Sequence, residues 1–316
     1  MENQLRVSIQ TSGSYHQFLA EHGVENTVKF AKECGFEAFD YSMCETLSPN
    51  LLYKGEVSDY YDQSVEKIIE LHAPFKKALK ENDITIPLMH APFPTYSLGK
   101  DNINDYLIMA IEKCCAVAEY LECPALVVHP YTNKDLEFQH KVNIDMYSKL
   151  IPAAKKHGVT ICLENMWNRR DGGAIVDSAC SDPNEAVDYI DTLNDMAGEE
   201  LFAFCFDVGH ANLTGKNMRN TLRTLGKRVK VLHIHDTDKV EDKHTLPYAY
   251  TGSKGLSVTD YVGFLAGLRD IGYEGDVNFE IGNAFKAFPA PTHPALCGLV
   301  ASIGRYFESE ITPKQV

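Results

Sequence analysis

Histidine and acidic residues recur at the ends of short apolar segments in this sequence. Six segments end this way, at His90, His129, Glu164, Asp207, the pair His233 and His235, and Glu280. An unpaired buried charge is costly, so such a set is tolerable when its members converge on a cation. Carboxylate oxygens and neutral imidazole nitrogens bind Mn²⁺, Mg²⁺, Co²⁺ and Zn²⁺. The pattern therefore predicts a divalent metal site, with Mn²⁺ as the first choice and the other three ions as alternatives.

The apolar segments are short and apolar at successive positions, which is typical of parallel strands buried on both faces. Eight of them alternate with helical patterns: 5–10, 37–42, 84–90, 125–130, 159–165, 201–207, 229–236 and 276–281. Alternation of this kind predicts an α/β protein with a single-domain (β/α)8 TIM barrel over residues 1–316. The competing fold, an open doubly wound sheet, usually has a glycine-rich turn after its first strand, and residues 11–15 match that turn poorly. In a barrel, the carboxyl ends of the strands meet at one rim, so the polar residues would converge there.

Composition excludes several classes of protein. The 316 residues include 30 Lys and Arg against 44 Asp and Glu, a formal charge of −14, which argues against a nucleic-acid partner. No apolar stretch is long enough to span a membrane, and the first residues do not resemble a signal peptide. The nine cysteines lack Cys-x-x-Cys spacing, which indicates reduced thiols in a cytoplasmic protein.

Four motifs carry a family resemblance: His-Ala-Pro at 90–92, Leu-Glu-Asn at 163–165, Phe-Asp-Val-Gly-His at 206–210 and His-Ile-His-Asp at 233–236. With them the chain resembles the xylose-isomerase-like sugar isomerase/epimerase superfamily, which also includes endonuclease IV. The resemblance implies a TIM barrel and four metal ligands, Glu164, Asp207, His233 and Glu280. His233 is preferred because Asp236 follows it by three residues. His235 stays open as the alternative, because residues two apart share a face of a strand.

The same resemblance implies a metal-dependent isomerase or epimerase that acts on a sugar or a sugar phosphate through an ene-diolate. Glu164 and Glu280 would be the catalytic acid and base. The expected substrate-binding residues are His90, His129, Trp167, Arg170, His210, His235 and His244. Trp167 suits either a pocket wall or simple packing. Arg169 and Arg170 suit either an anionic substituent or a solvated loop.

The sequence departs from the ketose 3-epimerases at two places. Lys239 and Arg170 stand roughly where those enzymes have a substrate arginine and a substrate glutamate, which weakens the expectation of free-ketose epimerisation. Related alternatives on the same scaffold are a keto-polyol dehydratase and a subunit that cleaves a C-glycosidic bond. A non-catalytic sugar-binding protein is a further alternative.

Endonuclease IV-like DNA repair is also an alternative, because the nine zinc ligands of that enzyme have counterparts of the same type. They are His90, His129, Glu164, Asp207, His210, His233, Asp242, His244 and Glu280. The acidic segment 55–62 argues against it, because a phosphate backbone would approach there. We expect a small-molecule sugar partner. The sequence leaves monomer and homo-oligomer both open, and segments 45–65 and 282–296 are expected to form a lid or a dimer contact.

Overall fold

The computed structural model describes residues 4–11 and 14–312, and it contains the predicted alternation of strands and helices. These residues contain ten strands: β1 Val7–Gln10, β2 Ala38–Ser42, β3 Thr85–His90, β4 Ala125–Val127, β5 Thr160–Glu164, β6 Trp167–Arg169, β7 Ile175–Asp177, β8 Phe202–Asp207, β9 Val229–His233 and β10 Val277–Phe279. Eight of these form one parallel sheet in the order β10-β1-β2-β3-β4-β5-β8-β9.

The helices follow the strands as crossover connections. They are α1 Ser14–Glu33, α2 Pro49–Lys54, α3 Val65–Glu81, α4 Asp101–Tyr120, α5 Leu136–His157, α6 Pro183–Ala197, α7 Val208–Leu213, α8 Met218–Leu225, α9 Tyr261–Ile271, α10 Gly282–Ala287 and α11 His293–Ile311. Their ends obey local rules. The Asp135 side chain caps α5 by accepting from the Phe138 amide, and Gly158 ends that helix in the left-handed conformation.

The two edges of the sheet meet, so the sheet closes into a barrel. Ile234, just after β9, pairs with Phe279 of β10 in a single parallel bridge. The Ile234 amide donates to the Asn278 carbonyl at 3.0 Å, and the Glu280 amide donates to the Ile234 carbonyl at 3.1 Å. The predicted (β/α)8 TIM barrel is therefore confirmed, and the open doubly wound sheet is excluded.

One side of the barrel interior is apolar below the carboxyl-terminal rim. Small and aliphatic side chains from five strands fill it: Leu88, Ala125, Val127, Cys162, Ala203, Cys205 and Val231. The helices pack on the outside, where Phe206 of β8 stacks on Phe264 of α9 with ring centroids 6.0 Å apart. The other three strands, β1, β2 and β10, instead place the buried polar side chains Ser8, Gln10, Asp40 and Asn278 in the interior.

The sequence analysis did not anticipate the antiparallel hairpin formed by β6 and β7, which lies between β5 and α6. Gly172 and Gly173, both with positive φ, make its turn. Helix α9 begins at Tyr261, whereas the helical pattern extends back to Ser257, because Asp260 caps it by accepting from the Gly263 amide.

The segments predicted as a lid or dimer contact follow the carboxyl ends of β2 and β10. In segment 45–65, Lys113 on α4 donates to the Tyr61 carbonyl at 2.5 Å and to the Gln63 carbonyl at 2.7 Å. Segment 282–296 contains α10 and the start of α11. Both roles remain predictions. No helix among the described residues is both long and apolar enough to cross a membrane.

Candidate metal and active site

The residues singled out in the sequence sit at the carboxyl ends of the strands. β3 ends at His90, β5 at Glu164, β8 at Asp207 and β9 at His233. His129 lies two residues beyond β4, and Glu280 directly follows β10. Because all these strands are parallel in one barrel, their ends face the same rim and the side chains come within a few ångströms of one another.

Glu164, His233 and Glu280 make the centre of the site. His233 Nδ1 lies 3.2 Å from Glu164 Oε2 and 3.2 Å from Glu280 Oε2. Asp207 supplies a ligand atom within 4.8 Å of those of His233 and Glu280. The structure thus brings together the four residues predicted as metal ligands.

Asp207 is held rigidly at this centre. Its backbone exchanges two hydrogen bonds with the Asn165 side chain, each 2.8 Å long. Its Oδ1 accepts from the His210 amide at 2.6 Å and so begins helix α7. Its Oδ2 lies 3.1 Å from His235 Nε2. This capping turn directs His210 back towards the centre.

A first flanking group joins the centre through Glu164. His90 Nε2 lies 2.9 Å from His129 Nε2, and His129 Nε2 lies 3.3 Å from Glu164 Oε2. Cys44, which the sequence analysis did not consider, places its Sγ 3.2 Å from His90 Nδ1. His90, His129 and Glu164 satisfy the spacing of a three-ligand metal group.

A second flanking group surrounds Asp242. Its Oδ2 lies 3.1 Å from His210 Nε2 and 3.1 Å from His244 Nε2. His235 stacks on His244 with ring centroids 4.1 Å apart, and it completes a four-residue group with metal-ligand spacing. His235 therefore belongs to this flank and contacts the centre through Asp207.

Unsatisfied buried atoms mark the site as suited to a cation. Buried polar groups normally have hydrogen-bond partners, so exceptions need an explanation. Eight buried side-chain atoms among the described residues lack one, and six of these lie here: Asp40 Oδ1, Glu164 Oε2, His233 Nδ1 and Nε2, His235 Nδ1 and Asp242 Oδ1. An oxygen- and nitrogen-rich set of this kind fits a divalent ion.

Charge pairing governs the pKa values in the site. Burial acts to raise the pKa of Glu164, but His233 and His129 lower that pKa well below its usual value. Burial likewise opposes ionisation of Glu280, yet His244 and His233 lower its pKa to about 2. In return, and against burial, Glu280 and Asp242 raise the pKa of His244 to about 9. The carboxylates are therefore ionised at neutral pH and able to bind a cation or accept a proton.

The hairpin β6–β7 forms one side of the rim. The half-buried Trp167 donates from Nε1 to Asp242 Oδ2 at 3.4 Å. Arg169 donates to the Gly173 carbonyl at 2.8 Å and to the Val240 carbonyl at 2.6 Å, so it ties the hairpin to the loop after β9. Arg170 is exposed. Arg169 is exposed as well, and the role of Arg170 towards substrate stays a prediction.

Sequence reasoning missed one buried carboxylate, Asp40 on β2. Its Oδ2 lies 3.3 Å from His233 Nε2, and the side chain is 0% exposed. The available signal was alternation: Ala38, Asp40 and Ser42 share a face of the strand. That face points into the barrel, because Asp40 contacts His233 there.

Comparison with known proteins agrees with this architecture. One relative, an uncharacterized protein of Methanocaldococcus jannaschii called MJ1311, is 27% identical over 275 residues, covering 83% of this chain and 80% of its own. Among solved structures, the Escherichia coli 3-keto-D-glucoside 4-epimerase YcjR superposes with a TM-score of 0.64 at 15% identity, covering 95% of this chain and 100% of that one. D-psicose 3-epimerase from Clostridium cellulolyticum H10 has a TM-score of 0.64 at 15% identity, with 96% and 99% covered.

The fold and the rim define a TIM barrel of the kind found in sugar isomerases and epimerases. The family described as xylose isomerase-like TIM barrel matches residues 28–293, and the chain belongs to that family.

Proposed function

We propose that this protein is a divalent-metal-dependent isomerase or epimerase of a sugar or sugar derivative. The main support is the centre of the site, where Glu164 and Glu280 approach the same nitrogen of His233 at 3.2 Å each. Three carboxylates and one imidazole would hold the ion, with Mn²⁺ favoured and Mg²⁺, Co²⁺ or Zn²⁺ as alternatives. Solved structures of sugar epimerases with the same fold support the reaction class.

A bound divalent ion would supply Lewis-acid polarisation of a substrate carbonyl and hydroxyl. Glu164 and Glu280 come from strands β5 and β10 and would flank the substrate carbon beside that carbonyl. One carboxylate removes the carbon-bound proton to leave an ene-diolate, and the other returns a proton. Return of the proton to the opposite face of the same carbon gives epimerisation. Return of the proton with migration of the carbonyl gives isomerisation.

The two glutamates differ in access. The Glu164 side chain is 1% exposed and the Glu280 side chain is 14% exposed, so Glu280 faces the open rim. His90, His129, His210 and His244 would orient substrate hydroxyl groups, and Trp167 would wall the pocket. Arg170 would meet an anionic substituent if the substrate is a sugar phosphate.

Solvent-deuterium exchange tests these roles. With Mn²⁺ and a panel of ketoses and ketose phosphates, wild-type protein should exchange the carbon-bound proton. Glu164→Gln and Glu280→Gln should each lower that exchange by at least about 100-fold, the usual loss when a general acid or base is removed. Glu274→Gln, an exposed change at the opposite end of the barrel, is the matched control and should exchange normally.

Retained exchange in both glutamate variants would refute the proposed roles. Product analysis by NMR separates the reaction classes, since an eliminated water or aglycone would indicate a dehydratase or a C-glycoside-cleaving subunit. Ligand binding without turnover across the panel would indicate a sugar-binding protein.

One observation favours a second candidate, endonuclease IV-like incision of abasic DNA. The two flanking groups and the centre together contain all nine residues that match the zinc ligands of endonuclease IV. Against it, Glu56 and Asp62 are exposed beside the rim on a chain of net charge −14. Three tightly bound zinc ions per chain with incision of an abasic duplex at physiological salt would favour this candidate over a sugar substrate.

A further inference from the structure

Asp40 lies at the site without being one of the proposed ligands. It sits in the middle of β2 and is fully buried, with Oδ2 3.3 Å from His233 Nε2. The opposite nitrogen of the same ring, Nδ1, faces Glu164 and Glu280. His233 is therefore placed between the proposed ion position on one side and a single carboxylate on the other.

A hydrogen-bond network fixes the Asp40 carboxylate. Oδ2 accepts from Gln10 Nε2 at 3.1 Å and from Asn278 Nδ2 at 3.1 Å. Asn278 is itself held, because its Nδ2 also donates to the Leu232 carbonyl and its Oδ1 accepts from Ser8. Every contact in this network is buried, so Asp40 cannot turn away from His233 without breaking several of them.

We propose that Asp40 is a positioning residue that keeps the His233 proton on Nε2 and so presents Nδ1 to the divalent ion. A neutral imidazole carries one proton, and the Asp40 carboxylate, whose Oδ2 lies 3.3 Å from Nε2, attracts that proton to Nε2 and so leaves Nδ1 free to bind metal. Carboxylates commonly play this part for histidine ligands, and they also raise the basicity of the ligating nitrogen. The inference rests on the proposed function, because it assumes that His233 is a ligand.

A buried carboxylate away from the site, Asp276, provides a control. Asp276, directly before β10 at the opposite end of the barrel, is 8% exposed, and its Oδ2 has no hydrogen-bond partner. Asp276→Asn therefore removes a buried negative charge, one that pairs with Arg6 at 3.1 Å, but leaves His233 untouched. A loss of ion affinity in the Asp40 variants that is absent from Asp276→Asn is therefore assigned to the contact of Asp40 with His233.

The test measures Zn²⁺ affinity by competition with a chromophoric chelator. Asp40→Ala should weaken Zn²⁺ binding by about 10- to 100-fold, the usual effect of removing such a partner. Asp40→Asn should weaken it less, because an amide oxygen, which carries a partial negative charge, can still face Nε2. Asp276→Asn should bind as wild type does. If Asp40→Ala fails to fold, Asp40→Asn decides alone.

Long-range ¹H–¹⁵N NMR of the Zn²⁺-loaded protein reads the tautomer directly. Wild type should show His233 protonated at Nε2 and metal-bound at Nδ1. A His233 proton on Nδ1, or unchanged Zn²⁺ affinity in both Asp40 variants, would overturn the inference while leaving the proposed function standing. A wild-type chain that binds no divalent ion would overturn both.

Discussion

Replacing Gly209 by alanine should destabilise the protein, although the residue lies in helix α7, where alanine is intrinsically the better residue. A Cβ at this position would lie 1.9 Å from His235 Cε1 and 2.4 Å from His235 Nδ1. Carbon atoms pack at about 3.5–4.0 Å, so the imidazole must move by roughly 1.6 Å or more. Such a shift breaks the 3.1 Å contact between His235 and Asp207 and disturbs the stack on His244.

The size of the effect follows from these contacts. Overpacking costs about 1–3 kcal/mol, and a buried polar group left without its partner costs about 1–3 kcal/mol. The higher helix propensity of alanine offsets about 1 kcal/mol of this loss of stability. We therefore expect Gly209→Ala to lower the free energy of unfolding by about 1–5 kcal/mol, and to weaken divalent-ion binding because Asp207 loses its support.

Urea denaturation followed by circular dichroism, in the presence of a chelator, measures the stability change without any contribution from a bound ion. Gly298→Ala in α11 is the matched control, because a Cβ there meets nothing within 4 Å. That variant should be as stable as wild type or up to about 1 kcal/mol more stable. An unfolding free energy for Gly209→Ala equal to or above that of wild type would refute the steric argument.

Two further predictions concern protons and ions. Adding Mn²⁺ at 100 times its dissociation constant should raise the free energy of unfolding by about 2.7 kcal/mol. Because the pKa of His244 is raised to about 9, ion binding should release protons and weaken as pH falls. Calorimetry in buffers of different ionisation enthalpy measures the proton release, and ion binding without it would contradict this prediction. Burial lowers the pKa of His72, which bonds to the Ile68 carbonyl at 2.9 Å. As pH falls, His72 is therefore protonated in the unfolded chain before it is protonated in the folded protein. The free energy of unfolding should then decrease below about pH 6.5, by up to ~1.4 kcal/mol per pH unit. His72→Gln should show a shallower fall in denaturation curves between pH 7.5 and 5.5, and an equal slope would contradict this account.

The barrel and the rim could be predicted because both depend on local patterns. Continuous apolar segments indicate strands buried on both faces, and the strand ends then locate Glu164, Asp207 and His233 without any knowledge of tertiary contacts. In the structure, each of these three residues is the last residue of its strand.

The hairpin β6–β7 and the role of Asp40 could not be predicted in the same way. Strands of three residues are too short for a period-two pattern to be distinguished from a loop. A single aspartate within an apolar segment does not show which distant side chain it will meet. The contact between Asp40 and His233 depends on strands that are almost 200 residues apart in the chain and lie across the barrel interior from each other.

The junction that closes the barrel coincides with the centre of the site. A single bridge between Ile234 and Phe279 joins β9 to β10. A residue next to each of them belongs to the site: His233 precedes Ile234, and Glu280 follows Phe279. An ion shared by these two side chains would fasten the barrel where its backbone pairing is thinnest. Binding of an ion and closure of the barrel would then be coupled, so that local opening of this seam would release the ion, and binding of the ion would stabilise the seam.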